Sequence, residues 1–340
     1  MKKHQLFAGL AMLALAVSCV EGVKLPGVDV KLNSSSTVSS EKLFSLSAEN
    51  ASTASDGTYY IESAAPAPLN ATVTLGSTIP GSLKIDNSSL PEAAFPVQGT
   101  MSNVGVALTV ENSSSAPIKL AGKAVFDGKE VALNPAVASA NSSSVLAFVT
   151  DPNAKVQPVP TTANLVPLAD PDKAVTKGSK SVEIKELEIS DGSKAAAPSS
   201  VALTVSAKYC AAFVYPEGTK LHLDRSFSDL GLTFDRVQYP LNEYDVHMEV
   251  VNSIPFDIYI SATSADGISG SIAQPILAGS IENPVTTSVI LHVVDNSGKA
   301  VSHMDQADLS LDLVAVSGGS ALKKGQKLEI NLDKLTIVKL

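Results

Sequence analysis

Histidine is the residue type in this sequence that could most readily bind a metal, so its spacing comes first. After the amino-terminal segment the chain has four histidines, and none of them forms the HxH or HxxxH pairs typical of zinc sites. Three of them lie in alternating segments whose apolar residues point to the opposite face: His222, His247 and His292. We therefore expect solvated histidines on outward strand faces and no bound metal. A surface metal cluster of these three is the alternative.

Motifs that carry catalysis are absent or isolated. The hydrolase elbow GxSxG and the phosphate loops GxxxxGK[ST] and GxGxxG do not occur. The pattern SxxK occurs at Ser39 and at Ser320, in both cases without the partner motifs of a hydrolase. Glu243 and Asp245 could serve as a carboxylate pair for acid–base chemistry, but we interpret them as a solvated strand face. The sequence therefore predicts no enzymatic activity and no cofactor.

The two cysteines lie in very different surroundings. Cys19 follows a short cationic start and an apolar run of twelve residues, 6–17. Such a run is too short to span a bilayer, which needs roughly 20 residues, but it has the length of a secretory signal peptide. The sequence AVSC (16–19) resembles the lipobox of bacterial lipoproteins, in which a peptidase cuts before the cysteine and its sulfur then carries a lipid. An ordinary signal peptide with a chance cysteine is the alternative.

The lipobox resemblance implies a signal peptide at 1–18, a lipid on Cys19 and a tether at 19–23. Each buried methylene of an acyl chain contributes about 0.8 kcal/mol, so two or three chains hold a protein almost permanently. Val20 stands where an aspartate would retain some lipoproteins in the inner membrane, so we expect the outer membrane. The start SCVEG is similar to that of Bacteroidota lipoproteins, but Glu21 is its one acidic residue. Whether the protein faces the periplasm or the cell surface therefore stays open.

Composition excludes one class of partner and weakens another. The net charge is −9, and the two arginines are Arg225 and Arg236, so the basic face that nucleic acid requires is missing. The chain has no tryptophan, the aromatic ring that sugar platforms favour. We expect a core role for the aromatic residues of the second half, with a ligand patch as the alternative: Tyr209, Phe213, Tyr215, Phe227, Phe234, Tyr239 and Tyr244. Once Cys19 is lipidated, Cys210 has no disulfide partner, and we interpret it as a small buried apolar residue.

Alternation of apolar and polar residues indicates β-strands throughout the chain. Every second residue is apolar in SVALTV (200–205), DVHMEV (245–250), DLSLDL (308–313) and KLEINL (327–332). These segments are separated by Gly, Pro, Asn and Ser, which is typical of a sandwich or barrel. The sequence therefore predicts an all-β fold.

Three blocks of sequence recur in the same order, at offsets of 138, 140 and 144 residues. SLKIDNS (82–88) matches KLHLDRS (220–226), VALTVENSSSAPIKL (106–120) matches VHMEVVNSIPFDIYI (246–260), and SSVLAFVTD (143–151) matches TSVILHVVD (287–295). We interpret them as an internal duplication in which each copy forms its own core. This predicts two tandem domains, at 24–150 and 179–340, joined by a proline-rich linker at 151–178.

The repeated block resembles the small β-sandwiches of LEA type 2 (late embryogenesis abundant) and WHy-type domains. The resemblance rests on the Asn-Ser/Pro turn and on the order of the strands, and it covers about 60 residues of each copy. It implies a sandwich fold and no catalysis. We therefore expect a non-enzymatic envelope protein with a structural or adhesive role, exerted through contacts with another envelope or surface protein.

Two further functions stay open. One is a small-molecule or glycan-binding module in the second domain. The other is a pilin-like subunit whose apolar carboxyl-terminal strand, KLTIVKL (334–340), pairs with a neighbour. Similar Bacteroidota pilin precursors are matured after an Arg or Lys well past the cysteine, and here no arginine precedes Arg225.

Overall fold

A computed structural model describes most of the chain after the amino-terminal segment. The described residues are 29–88, 90, 94–155, 157–159, 162–169, 180–192, 200–227, 232–233, 243–263, 268–295, 303–304, 307–317 and 320–339. The predicted signal peptide, Cys19 and the predicted tether lie outside these residues. One short helix, α1 (Ser40–Leu43), and twenty-three strands make up the regular structure of the described part. The prediction of an all-β fold is therefore confirmed.

Contacts divide the chain into two compact units. Unit 1 contains Met1–Ser45 and Lys220–Leu340, and unit 2 contains Leu46–Thr219. The strands of unit 2 are β2 (Ser52–Thr53), β3 (Tyr59–Ala64), β4 (Leu69–Thr74), β5 (Ser82–Asp86), β6 (Asn103–Asn112), β7 (Ile118–Phe126), β8 (Lys129–Ala138), β9 (Ser142–Val149), β10 (Asn164–Pro167), β11 (Ser181–Asp191), β12 (Ser200–Ala212) and β13 (Val214–Tyr215). The strands of unit 1 are β1 (Asp29–Ser39), β14 (Lys220–Phe227), β15 (Leu232–Thr233), β16 (Glu243–Asn252), β17 (Phe256–Thr263), β18 (Ile268–Ile272), β19 (Val285–Asp295), β20 (His303–Met304), β21 (Ala307–Ala315), β22 (Ser320–Ala321) and β23 (Lys327–Lys339).

Unit 2 is a sandwich of two antiparallel layers. One layer has the order β9-β6-β12 followed by β3 and β2, with β4 also on β12, and the other has the order β5-β11-β7-β8. Both β11 and β12 belong to these layers, although they follow the predicted boundary at residue 178. Unit 2 therefore extends far beyond the predicted first domain, because the two strands that complete its layers come after the proline-rich segment.

The proline-rich segment is part of unit 2 rather than a linker. Its strand β10 pairs in parallel with β9. The amide of Ala169 donates to the carbonyl of Ala132 on β8 (3.4 Å), and Leu168 donates to Val149 on β9 (2.9 Å). The segment therefore bridges the gap between the edges of the two layers. Proline predicted a stiff linker, but composition could not show that residues 164–167 pair with the edge strand β9.

Unit 1 repeats the arrangement of unit 2. One layer has the order β19-β16-β23-β1, and the other has the order β14-β21-β17-β18. The two are joined into one eight-stranded sheet because β18 also pairs with β19. The polar and apolar alternation sets the inward faces: in β16, Tyr244, Val246, Met248 and Val250 are buried.

The strand order and register support the internal duplication. Leu83 and Leu221 are both buried in the first strand of each copy, and Leu108 and Met248 are both buried in the second. The third matched block aligns Val145 with Val289, and this alignment is wrong by one residue. Met248 lies opposite Val289, whereas Leu108 lies opposite Leu146, so the counterpart of Val289 is Leu146 and not Val145. A shift of one residue turns a strand over, and Val145 accordingly packs on the outer face of the layer.

The strand β1 takes the place in unit 1 that β3 and β4 take in unit 2. β1 pairs with β23, with an irregularity between Lys31 and Ser34. The strand of unit 2 that corresponds to β23 is β12. It pairs first with β4 and then with β3, and the gap between these two strands corresponds to the irregularity in β1. In the sequence, unit 2 is therefore inserted between the first strand of unit 1 and the rest of it. This nested arrangement replaces the predicted tandem order, because β1 is too far from β23 in sequence for a local pattern to pair them.

Candidate binding groove

Two asparagines hold equivalent corners of the two sandwiches. The side chain of Asn252 accepts a hydrogen bond from the amide of Ile254 (2.7 Å) and donates to the carbonyls of Phe256 (3.1 Å) and Leu277 (2.9 Å). Asn112 repeats this pattern: its side chain accepts from the amide of Ser114 and donates to the carbonyls of Ala116 and Ser139. Both close their strands, as predicted for a residue that bonds its own backbone in turns. The prolines of the repeated motif, Pro117 and Pro255, directly precede the next strand.

The loop that joins β8 to β9 in unit 2 differs from the corresponding loop between β18 and β19 in unit 1. In unit 2, residues 139–141 join β8 to β9, whereas residues 273–284 join β18 to β19 in unit 1. The longer loop is fixed to the corner, because Gly279 donates to the carbonyl of Ile254 (3.0 Å) and Ala278 donates to the carboxylate of Asp257 (2.8 Å). A Cβ atom at Gly279 would lie 2.0 Å from the carbonyl oxygen of Asn252, so only glycine allows this approach.

Residues 316–317 and 320–326 face this loop, and hydrogen bonds fix the second of these stretches. The Gln326 side chain accepts from the amide of Lys323 (2.9 Å) and donates to the carbonyl of Ala321 (2.9 Å). The hydroxyl of Ser40, at the start of α1, donates to the carbonyl of Lys323 (3.2 Å), and the amide of Ser40 donates to Gln326 (2.9 Å). The loop 273–284 and these two stretches therefore form two opposite walls next to Asn252.

Between these walls lies a groove of about 340 Å³. The described residues of its lining are mostly aliphatic, hydroxyl and amide, and none of them is aromatic: Pro255, Ala278, Gly279, Ser280, Ile281, Glu282, Asn283, Val285, Val316, Ser317, Ser320, Ala321, Lys323 and Gln326. Ile281 and Val316, on opposite walls, are 44% and 41% exposed, and Leu277 beside them is 47% exposed. Exposed apolar side chains that cluster in a concave site are typical of binding surfaces.

Charge in the groove is sparse and divided between the walls. Glu282 lies on the loop wall and Lys323 on the facing wall. Glu282 is exposed, and no described residue forms an ion pair with it. The groove thus offers apolar side chains, hydroxyl groups and the Glu282 carboxylate, which has no ion-pair partner among the described residues. Within the part of the chain that the structure describes, it contains no histidine, cysteine or aspartate that could act in catalysis.

The three predicted surface histidines do not come together. His222 lies on β14, in the layer opposite to β16 and β19, which carry His247 and His292. His292 contacts the carboxylate of Asp245 through Nδ1 (2.7 Å), and His247 contacts the hydroxyl of Thr336 (3.0 Å). Among the described residues, no group of three His, Cys, Asp or Glu side chains could hold a metal ion.

Comparison of the two units explains why the outer face of β16 and β19, which carries His247 and His292, is exposed. In unit 2 the positions of His247 and Ile290 are taken by Ala107 and Ala147, which are buried under the segment that contains Leu165. Unit 1 has polar and charged residues on the same face, and Ile290 there is 48% exposed. The prediction of outward histidines is therefore confirmed for His222, His247 and His292, each of which is partly exposed on the outer face of its layer.

His222 lies between two carboxylates. Its Nδ1 is 2.6 Å from Asp312 and its Nε2 is 3.0 Å from Asp224. The hydrogen bond to Asp312 raises the pKa of the His222 imidazole above its ordinary value, Asp224 adds to this effect, and partial desolvation opposes it. The arrangement stabilises the protonated ring, which can donate from both nitrogens.

The other candidate residues have structural surroundings. Tyr209, Phe213 and Tyr215 are fully buried in unit 2, and Tyr244 is buried in unit 1, so these four have the predicted core role rather than forming a shared ligand patch. The side chains of Phe227, Phe234 and Tyr239 lie outside the described residues. Cys210 is buried as predicted, and its desolvation raises the pKa of the thiol.

The two SxxK patterns also have local structural roles. The hydroxyl of Ser39 accepts from the amide of Lys42 (3.4 Å) and caps α1. The hydroxyl of Ser320 donates to the carbonyl of Ser317 (3.0 Å) within a turn. Neither serine has a lysine or histidine positioned as a base in the described contacts.

The comparisons with known proteins establish the fold alone. No protein-family model matches the chain, and no curated protein matches it. A structure from Parabacteroides distasonis ATCC 8503, of a protein described as secreted, is similar with a TM-score of 0.55 and 17% identity, over 91% of this chain and 99% of that chain. At this identity the likeness shows a shared all-β architecture and no more. The resemblance to LEA type 2 and WHy domains therefore rests on the residue motifs.

Two viral proteins align with much lower structural similarity. The major capsid protein P2 of bacteriophage PM2 has a TM-score of 0.17 and 13% identity, over 79% of this chain and 97% of that chain. Broad Bean Stain Virus has a TM-score of 0.21 and 12% identity, over 87% of this chain and 94% of that chain. These values carry no argument about fold or function.

Among the residues that the structure describes, no helix has the length and apolar character to cross a bilayer.

Sequence reasoning did not find the groove. The segment SIAQPILAGSIENP (271–284) has no alternation, so it was not assigned to any element. One signal was available: between the repeated blocks, the spacing grows from 138 to 144 residues, which places an insertion in the second copy. Inserted loops on a repeated scaffold are where binding residues concentrate.

Proposed function

We propose that this protein is an exported, non-enzymatic component of the bacterial cell envelope, anchored in the outer membrane by a lipid on Cys19, with a structural or adhesive role in binding another envelope or surface protein. The lipobox-like sequence before Cys19 supports the anchor. The likeness to a protein described as secreted agrees with export. The repeated Asn-Ser/Pro motif supports units of the LEA type 2 or WHy kind.

The observation that carries the proposal is the groove of unit 1. The two units share a sandwich and a corner asparagine, yet only the copy in unit 1 has the twelve-residue loop 273–284 that builds a wall. Ile281 on that wall is 44% exposed, so packing of the sandwich core does not account for its apolar side chain. A binding role explains both the added loop and its exposed Ile281.

The chemistry of the groove favours an extended protein segment as the occupant. An aliphatic side chain fits between Ile281 and Val316, and a neighbouring Lys or Arg of the partner pairs with Glu282. A sugar would find no aromatic ring to stack on in this lining. The partner's segment therefore has an aliphatic residue next to a basic residue.

We test this with a fluorescent pentapeptide, Lys-Val-Lys-Val-Lys, whose binding is measured by anisotropy. We expect Ile281→Asp and Glu282→Lys to weaken binding by about tenfold or more, which corresponds to roughly 1.4 kcal/mol. The matched control is Ile290→Asp, because Ile290 is 48% exposed in the same unit but lies away from the groove. Equal loss in the control, or equal binding of a Glu-Val-Glu-Val-Glu peptide, would show that the groove is not the site.

A small-molecule ligand is the second candidate. The groove volume of about 340 Å³ lies at the lower end of the range of roughly 300–1,000 Å³ that ligand pockets occupy. Such a ligand would lose affinity in Ile281→Asp but not in Glu282→Lys if it is uncharged, so the two variants separate the candidates.

A pilin-like role through the carboxyl-terminal strand is the third candidate, and the pairing of that strand makes it the least favoured of the three. That strand is β23, and it pairs with β16 on one side and with β1 on the other. As far as Thr336 its backbone groups are therefore paired on both sides within unit 1, and beyond Thr336 the described pairing is with β16 alone.

A further inference from the structure

The strand β1 leaves one side of its backbone open. It lies at the end of the eight-stranded sheet and pairs with β23 alone. The amide of Ser40, directly after β1, donates to the carbonyl of Gln326 (2.9 Å). Ser40 therefore faces β23, and by alternation every second residue before it does so too. By alternation, the amide and carbonyl groups of Ser35 and Thr37 point away from the sheet. No described residue bonds to them, and both side chains are exposed.

The other sheet edges in the described part are short or protected. β2, β4, β5 and β10 have at most six residues. The longer ones carry charges or proline, as edge strands usually do: β8 has Lys129, Glu130 and Pro135, and β14 has Lys220, Asp224 and Arg225. In β1, by contrast, residues 32–39 contain no charge and no proline. This strand is the long edge that lacks the usual protection.

We propose that β1 pairs antiparallel with β1 of a second copy of this chain, about a two-fold axis. A two-fold axis brings each residue close to the same strand of the other copy, where like charges would repel. The uncharged stretch 32–39 avoids this repulsion. With the axis at Ser36, Ser35 of one copy and Thr37 of the other exchange backbone hydrogen bonds. In unit 2, the strand equivalent to the start of β1 is β3, and it already carries a further strand, β2, on its outer side.

The first test changes the outward amide of Thr37 and leaves the rest of the strand in place. Thr37→Pro removes a donor that β23 does not use, so unit 1 keeps its fold while the dimer is lost. Thr37→Ala is the matched control, because it retains the amide. The molar mass of the purified full-length chain, measured by light scattering over a range of concentrations, should show dimers for the wild type and Thr37→Ala. We expect the dissociation constant of Thr37→Pro to rise by about tenfold or more, since two exchanged bonds and the local register are lost.

The second test uses charge and does not depend on the tolerance of proline. Ser35→Lys with Thr37→Lys should give monomers, and so should Ser35→Glu with Thr37→Glu. Mixing the two variants should restore dimers, because opposite charges then face each other across the axis. A monomeric wild type at the highest reachable concentration would overturn the proposal. So would dimers that persist in Thr37→Pro, or lysine and glutamate variants that do not combine. The groove plays no part in these measurements, so they are independent of the proposed function.

Discussion

At the scale of single residues, Asn112 and Asn252 carry more of the structure than their polarity would suggest. Both are buried, and each satisfies three backbone groups that would otherwise have no partner at a strand corner. A buried group without a partner costs about 1–3 kcal/mol. The repeated sequence motif therefore marks a position where one amide side chain joins three segments.

We predict that Asn252→Ala lowers the free energy of unfolding by about 3 kcal/mol or more, since several buried groups lose their partners at once. Asn112→Ala should behave in the same way in unit 2. The control is Asn134→Ala, whose exposed side chain bonds one carbonyl, that of Pro167. Urea unfolding followed by circular dichroism measures the effect. A loss in either corner variant no larger than that of the control would contradict the corner role.

The pair of carboxylates around His222 gives a prediction about pH. Its pKa is raised in the folded state, so its contribution to stability is present below the unfolded pKa of about 6.5 and is lost as pH rises through the folded pKa. The group is partly exposed, so this contribution is under about 1 kcal/mol. Titration of the imidazole by NMR should show that Asp312→Asn lowers the His222 pKa more than Asp224→Asn does. Equal pKa values in the wild type and Asp312→Asn would refute the assignment.

At the scale of elements, alternation predicted the strands well and their partners poorly. The segments that contain β12, β16, β21 and β23 alternate clearly, because each has one face on a core. The pairing of β1 with β23 joins residues about 300 positions apart, and no local pattern encodes it. The linker was misread for the same reason, since β10 becomes a strand only against the open edge of β9.

Register and loops show the limits of the same reasoning. The match of SSVLAFV to TSVILHV aligned the letters, but the layers align Leu146 with Val289, because these two residues lie opposite the equivalent Leu108 and Met248. The growing spacing of the repeated blocks indicated an inserted loop but no groove, since the groove walls are loops held by backbone contacts, such as the close approach of Gly279 to Asn252. The outward faces of the histidines were predictable from alternation. The burial of Cys210 was not, because it directly follows the inward Tyr209 on β12 and is nevertheless buried.

At the scale of the whole molecule, the protein consists of two related sandwiches, one nested in the sequence of the other, with a groove on unit 1. We propose that these units form an envelope protein held by a lipid on Cys19. The anchor precedes β1 by ten residues, and the chain between them can span at most about 36 Å when fully extended. The claim therefore places unit 1 close to the membrane.

The most direct test is the intact mass of the protein extracted from membranes, compared with that of Cys19→Ala. The account predicts a chain that begins at Cys19 and carries the added mass of two or three acyl chains. It also predicts that Cys19→Ala is found in the soluble fraction or as unprocessed precursor. A membrane-bound chain with an unmodified Cys19, or a Cys19→Ala variant that is still processed and membrane-bound, would contradict it.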